Sequence, residues 1–221
     1  MAPSPRLVHL LSVAKAFSRS GGATQPVLRP TSMSLPTDRR VAILGGKRTG
    51  KTSLLRLLAG KLAPDEGRLV TQVRLSPVAN NGALFHPQLT VLENVQFVAR
   101  MYRLDAKLLA LGIAGLRDNA IDLDAPLKSY DSGARRALEA AAIIILPFDC
   151  YLIDDAGQLP PDLVARIFEA AASRNSGVIF ATSNARFVRQ HAEALIVVED
   201  ATLHPFAEIE EGIEFFDRRS G

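Results

Sequence analysis

AILGGKRTGKTSLLRLLAG, Ala42 to Gly60, is the stretch on which the fold turns. Val41–Leu44 is a short apolar run of the kind that makes a buried strand, and Thr52–Leu58 places its leucines at helical spacing. Between them stand Gly45, Gly46, Lys47, Arg48, Thr49, Gly50, Lys51 and Thr52, followed by Ser53. Glycine, four residues, glycine, lysine, threonine is the P-loop pattern, and the strand before it and helix after it are the context that pattern requires. The glycines let the backbone wrap a polyphosphate with its N–H groups turned inward. The helix N-terminus adds its dipole, Lys51 a point charge, and Thr52 a hydroxyl that can hold Mg²⁺. A plain glycine-rich turn is the competing reading, and the strand–loop–helix context weighs against it.

A P-loop also needs an acid to orient the metal. CYLIDDAG, Cys150 to Gly157, is an apolar strand ending in Asp154, with Asp155 beside it. Asp154 suits the Mg²⁺ shell and Asp155 the attacking water. Two acids at a strand end are, taken alone, more often a solvated turn; the upstream P-loop tips the reading towards function.

The rest of the chain is compatible with this. Its 221 residues, 48% hydrophobic and 22% charged, describe a globular protein with a sizeable core. The net charge of +3 favours no partner, but its distribution is uneven. Residues 1–61 hold eleven Lys or Arg and one acid, Asp38, while 195–221 hold seven acids against Arg218 and Arg219. A basic N-terminal third suits an anionic ligand, or is simply a solvated basic face. Nothing points to nucleic acid. The lone Cys150 excludes an intramolecular disulfide and reads as a small core residue. The longest apolar stretch, Ala140–Ile153, is broken by Pro147 and Asp149 and is too short to span a bilayer. The first 37 residues lack acids, as a transit peptide does, yet LVHLLSVAKAF reads as strand.

Strands (CYLID, GVIFAT, ALIVVE) alternate with helices near 162–173 and 184–192, which predicts a parallel sheet covered on both faces. APDEGRL predicts a turn and LVTQVRL one strand. Helical spacing runs from Thr90 to Asp118, with Leu92, Val95, Phe97, Val98 and Tyr102 as the apolar contacts, and resumes near Ser132. Residues 89–145 therefore read as a helical subdomain inserted between 1–88 and 146–221 of one α/β domain.

LTVLENVQFVARMY (89–102), LKSYDSGARRALEAA (127–141) and FDCYLIDD (148–155), in that order, resemble the ATP-binding subunits of ABC transporters. Within these they are most similar to the capsular polysaccharide and O-antigen export group, whose segments read LT…ENV.F.AR.Y, YSSGM and DYYLIDE. The resemblance runs from VAKAF to about residue 200, and a chain ending near 221 leaves no room for the carbohydrate-binding extension of some O-antigen exporters. It implies an ABC-type P-loop NTPase fold: a mostly parallel core sheet, antiparallel N-terminal strands and a helical subdomain that docks on a membrane-spanning permease. It also implies a peripheral position on the cytoplasmic face of the inner membrane. Such subunits act as head-to-tail dimers, homo- or heteromeric, in which the signature of one closes on the ATP of the other. Asp131, Ser132 and Gly133 would be that signature, and Phe17 the ring that stacks on adenine, unless it is an ordinary core phenylalanine.

Several positions depart from the group's pattern. Asp131 replaces a serine whose hydroxyl meets the γ-phosphate; two like charges about 4 Å apart cost about 4 kcal/mol at an effective dielectric of 20. Asp is equally a strong N-cap for the helix that follows. Asp155 replaces glutamate and draws the carboxylate back by about 1.5 Å, where a 1 Å error can cost about 100-fold in rate. Ser183, in IFATSNA, stands where a switch histidine is usual. His86, in LFHPQLT, aligns with a glutamine that senses metal and water, with Gln88 two residues on. AGQLPPD lacks the usual aspartate spacing between subunits. The pattern is a kept ATP·Mg²⁺ grip beside an altered hydrolytic side. Two functions fit: an exporter subunit with slow or impaired hydrolysis, or a non-transport regulatory clamp of the same fold.

Overall fold

The computed structural model describes residues 6–18, 22–79, 84–115 and 121–220. Six strands form the main sheet, in the order β5(Leu75–Ala79), β6(Cys150–Ile153), β7(Gly177–Thr182), β3(Arg40–Leu44), β8(Ala194–Glu199), β9(Thr202–Phe206). All neighbours are parallel except β9, which returns antiparallel to β8. A second, antiparallel sheet has the order β2(Thr24–Pro36), β1(Leu7–Ser18), β4(Glu66–Thr71).

The four inner strands β6, β7, β3 and β8 are apolar through their middles because both of their faces are buried. Period two divides them cleanly. Ala42, Leu44, Tyr151, Ile153, Val178, Phe180, Leu195 and Val197 enter one core. Their alternates Val41, Ile43, Cys150, Leu152, Ile179, Ala181, Ile196 and Val198 enter the other. The first core takes helices α4(Ser132–Ile145), α5(Pro161–Ser173), α6(Ala185–His191) and α7(Ile209–Ser220). The second takes α1(Lys51–Leu58) and the inner face of the antiparallel sheet, through Leu54, Leu55, Val8, Leu10 and Leu35.

Two long patterns resolve differently from their sequence reading. LVTQVRL is split by a bend at 72–74, its halves joining different sheets as β4 and β5. The helical run from Thr90 breaks at Arg103, which adopts φ 57° and ends α2(Val91–Tyr102) before α3(Ala106–Gly115) begins. Thr90 caps α2 in a reciprocal capping box with Glu93. Of the contacts expected on α2, Val95 and Val98 are buried, whereas Phe97 is 53% exposed; Val91 and Ala99 complete the buried stripe.

Glu139, on α4, is 2% exposed and its Oε1 accepts the Leu84 amide at 2.5 Å. Glu139→Ala leaves that donor without its carboxylate, so urea unfolding is expected to show a loss of about 1–3 kcal/mol. Cys150 is fully buried, and burial pushes its thiol up to about 12. The folded protein should therefore resist iodoacetamide at pH 8 and react in urea. Because the folded state holds this proton and the unfolded state releases it near pH 9, the Cys150 contribution to stability is constant below pH 9 and declines above it.

Candidate functional site

The site is assembled at the C-terminal ends of the parallel strands, the edge where open α/β sheets place their ligands. The loop after β3 is anchored by Gly45 N–H donating to the Thr182 carbonyl at 3.3 Å, which ties it to the end of β7. Arg48 (φ 65°) and Gly50 (φ 105°) take the left-handed region, and such alternation curls successive amides into a concave anion nest. Gly50 has no substitute: a Cβ there would lie 2.4 Å from the Val27 carbonyl oxygen. Thr49 Oγ1 donates to the Gly46 carbonyl at 3.1 Å and closes the turn.

Lys51 folds back over this loop, its Nζ donating to the carbonyls of Gly45 at 2.8 Å and Gly46 at 2.5 Å. Burial lowers its pKa, and the carboxylates of Asp154 and Asp155 oppose that shift. Thr52 Oγ1 donates to Asp154 Oδ2 at 2.7 Å. A hydroxyl and a carboxylate so paired are hard oxygen ligands for Mg²⁺, which keeps several waters and takes few protein ligands. No cluster of three or more His, Cys, Asp or Glu that could hold a metal ion is present among the described residues.

Asp155 follows Asp154 at φ 46° and opens a 3₁₀ turn, Ala156–Gln158. Ser183 follows β7, and Asn184 caps α6 by accepting the Phe187 amide at 3.1 Å. A cleft of ≈ 330 Å³ brings together Lys47, Lys51, Thr52, Asp154, Asp155 and Ser183, all singled out in the sequence. It adds two residues that were not, Gln158 and Arg136. No local motif marks either one: Gln158 arrives through the 3₁₀ turn and Arg136 through the placement of α4.

The other sequence candidates lie outside this cleft. His86 is exposed and its Nδ1 faces the Gln88 amide of its own turn at 3.3 Å, while its backbone N–H donates to Asn94 Oδ1 at 2.7 Å. Gln88 itself accepts from Lys128 Nζ at 3.0 Å. Asp131, Ser132 and Gly133 are exposed at the start of α4, where Asp131 accepts the Ala134 amide at 2.8 Å and caps the helix. Phe17 is not a core residue: it is 44% exposed near the end of β1, with Lys15 Nζ 5.7 Å from the ring centroid. A larger cavity, ≈ 690 Å³, opens at the opposite end of the strands. Two of its arginines are matched there, Arg39 by Asp38 and Arg40 by Glu193.

With this geometry in place, the likenesses to known proteins are specific. BexA, an ATP-binding protein of Haemophilus influenzae, is 25% identical over 96% of this chain and 98% of its own. The capsule polysaccharide export ATP-binding protein CtrD of Neisseria meningitidis is 26% identical over 96% of this chain and 99% of its own. A polysialic acid transport ATP-binding protein, KpsT of Escherichia coli, reaches 33% identity over 67% of this chain and 68% of its own. Among solved structures, the dimeric ATP-binding cassette MJ0796 bound to ADP and Pi superposes with a TM-score of 0.76 at 17% identity, over 89% of this chain and 96% of that one. The profile of the ABC transporter family matches residues 28–158, and the chain belongs to that family.

Proposed function

We propose that this chain is the ATP-binding subunit of an ABC exporter for a cell-surface polysaccharide of the capsule type. The observation that carries the nucleotide half of this reading is the Thr52–Asp154 bond beside a desolvated Lys51 at the mouth of a phosphate-shaped loop. The export half is supported by the end-to-end match to BexA and CtrD, the latter a capsule polysaccharide export protein. The P-loop amides and Lys51 hold the phosphates, and Thr52 with Asp154 holds Mg²⁺, which neutralises phosphate charge. Asp155 is the carboxylate set to orient water.

A second copy closes the site in this reading, its Asp131–Gly133 end of α4 facing the nucleotide. The capped, exposed position of that segment leaves it accessible to a partner. The permease docks on the helical block. Phe97, Met101, Leu104, Leu108 and Leu111 on and between α2 and α3 are 53, 54, 36, 67 and 59% exposed, an apolar band unusual for a water-facing surface. No helix among the described residues is long and apolar enough to cross a membrane. Membrane attachment in this proposal therefore runs through the permease, on the cytoplasmic face.

Purified protein should bind Mg·ATP and hydrolyse it slowly, and Lys51→Ala should abolish both. Asp155→Glu returns the missing methylene and should raise turnover by up to about 100-fold. Binding without turnover in wild type and in Asp155→Glu would favour the regulatory clamp; no binding at all would overturn the reading. Phe97→Asp combined with Leu108→Asp should release the protein from membranes that carry its permease while ATP affinity stays within about twofold. Unchanged membrane association would remove the docking surface from the proposal.

A further inference from the structure

Among the described residues, Arg136 is the one residue of the helical block that lines the P-loop cleft of its own chain. It stands on α4 five residues beyond the Asp131 cap, on the stripe that continues through Glu139, Ala140 and Ile143, all buried. Glu139 fixes the orientation of that stripe by holding the Leu84 amide. The Arg136 Nε is buried and has no hydrogen-bond partner among the described residues. The residue as a whole is half-buried, and its guanidinium cannot shed its proton, so Arg136 brings a fixed positive charge to the cleft that it lines.

The cleft holds three cations, Lys47, Lys51 and Arg136, against Asp154 and Asp155. Lys47 and Lys51 belong to the loop that cradles the inner phosphates. Arg136 comes from the other body, and shares its side of the chemistry with Asp155, Gln158 and Ser183, of which the last two carry no charge.

We propose that Arg136 binds the terminal phosphate of a nucleoside triphosphate held in its own chain's P-loop, so that the third phosphate draws α4 onto the core. The inference rests on the reading of this cleft as a nucleotide site. Its physical consequence is discrimination. A diphosphate fills the loop but leaves Arg136 unmet, whereas a triphosphate satisfies it with a charge-assisted bond. Since α4 also carries Asp131 at its exposed end, the same movement sets where the segment facing a second copy is presented.

The test compares Mg·ATP and Mg·ADP affinities, by calorimetry, for wild type, Arg136→Gln and Arg136→Lys, with Lys51→Ala as the control for the site itself. Arg136→Gln should weaken ATP about tenfold or more and change ADP less than twofold, and Arg136→Lys should recover part of the ATP loss. Equal losses for both nucleotides, or none, would overturn the inference while leaving the nucleotide site standing. Wild type that binds neither nucleotide would overturn the site and the inference together. Should Arg136→Gln fail to fold, amide exchange on the wild-type protein decides: residues 134–138 should slow with ATP and not with ADP, and identical exchange in both would sink the proposal.

Discussion

The hydrogen bond from Thr52 Oγ1 to Asp154 Oδ2 joins two parts of the chain 102 residues apart, and the site depends on it. Thr52 lies on the first turn of the helix after β3, and Asp154 lies just past β6. β7 separates these two strands, so their ends are about 10 Å apart at the usual strand spacing. Register closes that gap. Phe180 of β7 is level with Ile153 on one side and Ala42 on the other, which brings the end of β6 to the height at which the loop turns back into α1. The loop is held to β7 through the Thr182 carbonyl, and Asp154 is held to β5 through its own amide at 3.0 Å from the Ala79 carbonyl. A slip of one residue in any of these pairings would turn every side chain of that strand to the other face. The two cores above and below the sheet forbid such a slip.

This explains which parts were legible in the sequence. GVIFAT and ALIVVE are apolar without interruption because two cores need them, and that pattern is local. The P-loop and Asp154–Asp155 sit at the ends of such runs, so the strands carry them to one edge without further information. Arg103 gave no warning of the break after α2, because a residue in the left-handed region is usually glycine or asparagine and here is neither. Phe97, an apolar contact by its spacing, faces outward for a related reason: the α2 stripe is satisfied by Val91, Val95, Val98 and Ala99, and periodicity does not say how wide the buried arc is. Arg136 and Gln158 reach the cleft only through tertiary placement, which no spacing rule encodes.

α4 reaches from the core to the cleft. Its middle is packed in the core through Leu138, Ala141, Ala142 and Ile144, and its Glu139 is bonded to the segment that follows β5. At its N-terminal end Asp131, Ser132 and Gly133 are exposed, and Arg136, on the next turn, lines the cleft.

The kept and altered residues divide along a physical line. Lys51 is bonded to the carbonyls of its own loop, and Thr52 and Asp154 are bonded to each other. Replacing any of them disturbs the scaffold as well as the site. Asp155 and Ser183 are exposed at the ends of strands, and Asp131 is exposed but caps α4 through the Ala134 amide. In the cleft, an arginine brought from α4 stands with Asp155, a carboxylate one methylene shorter than glutamate, and with the neutral Ser183, so the cations there outnumber the carboxylates by three to two.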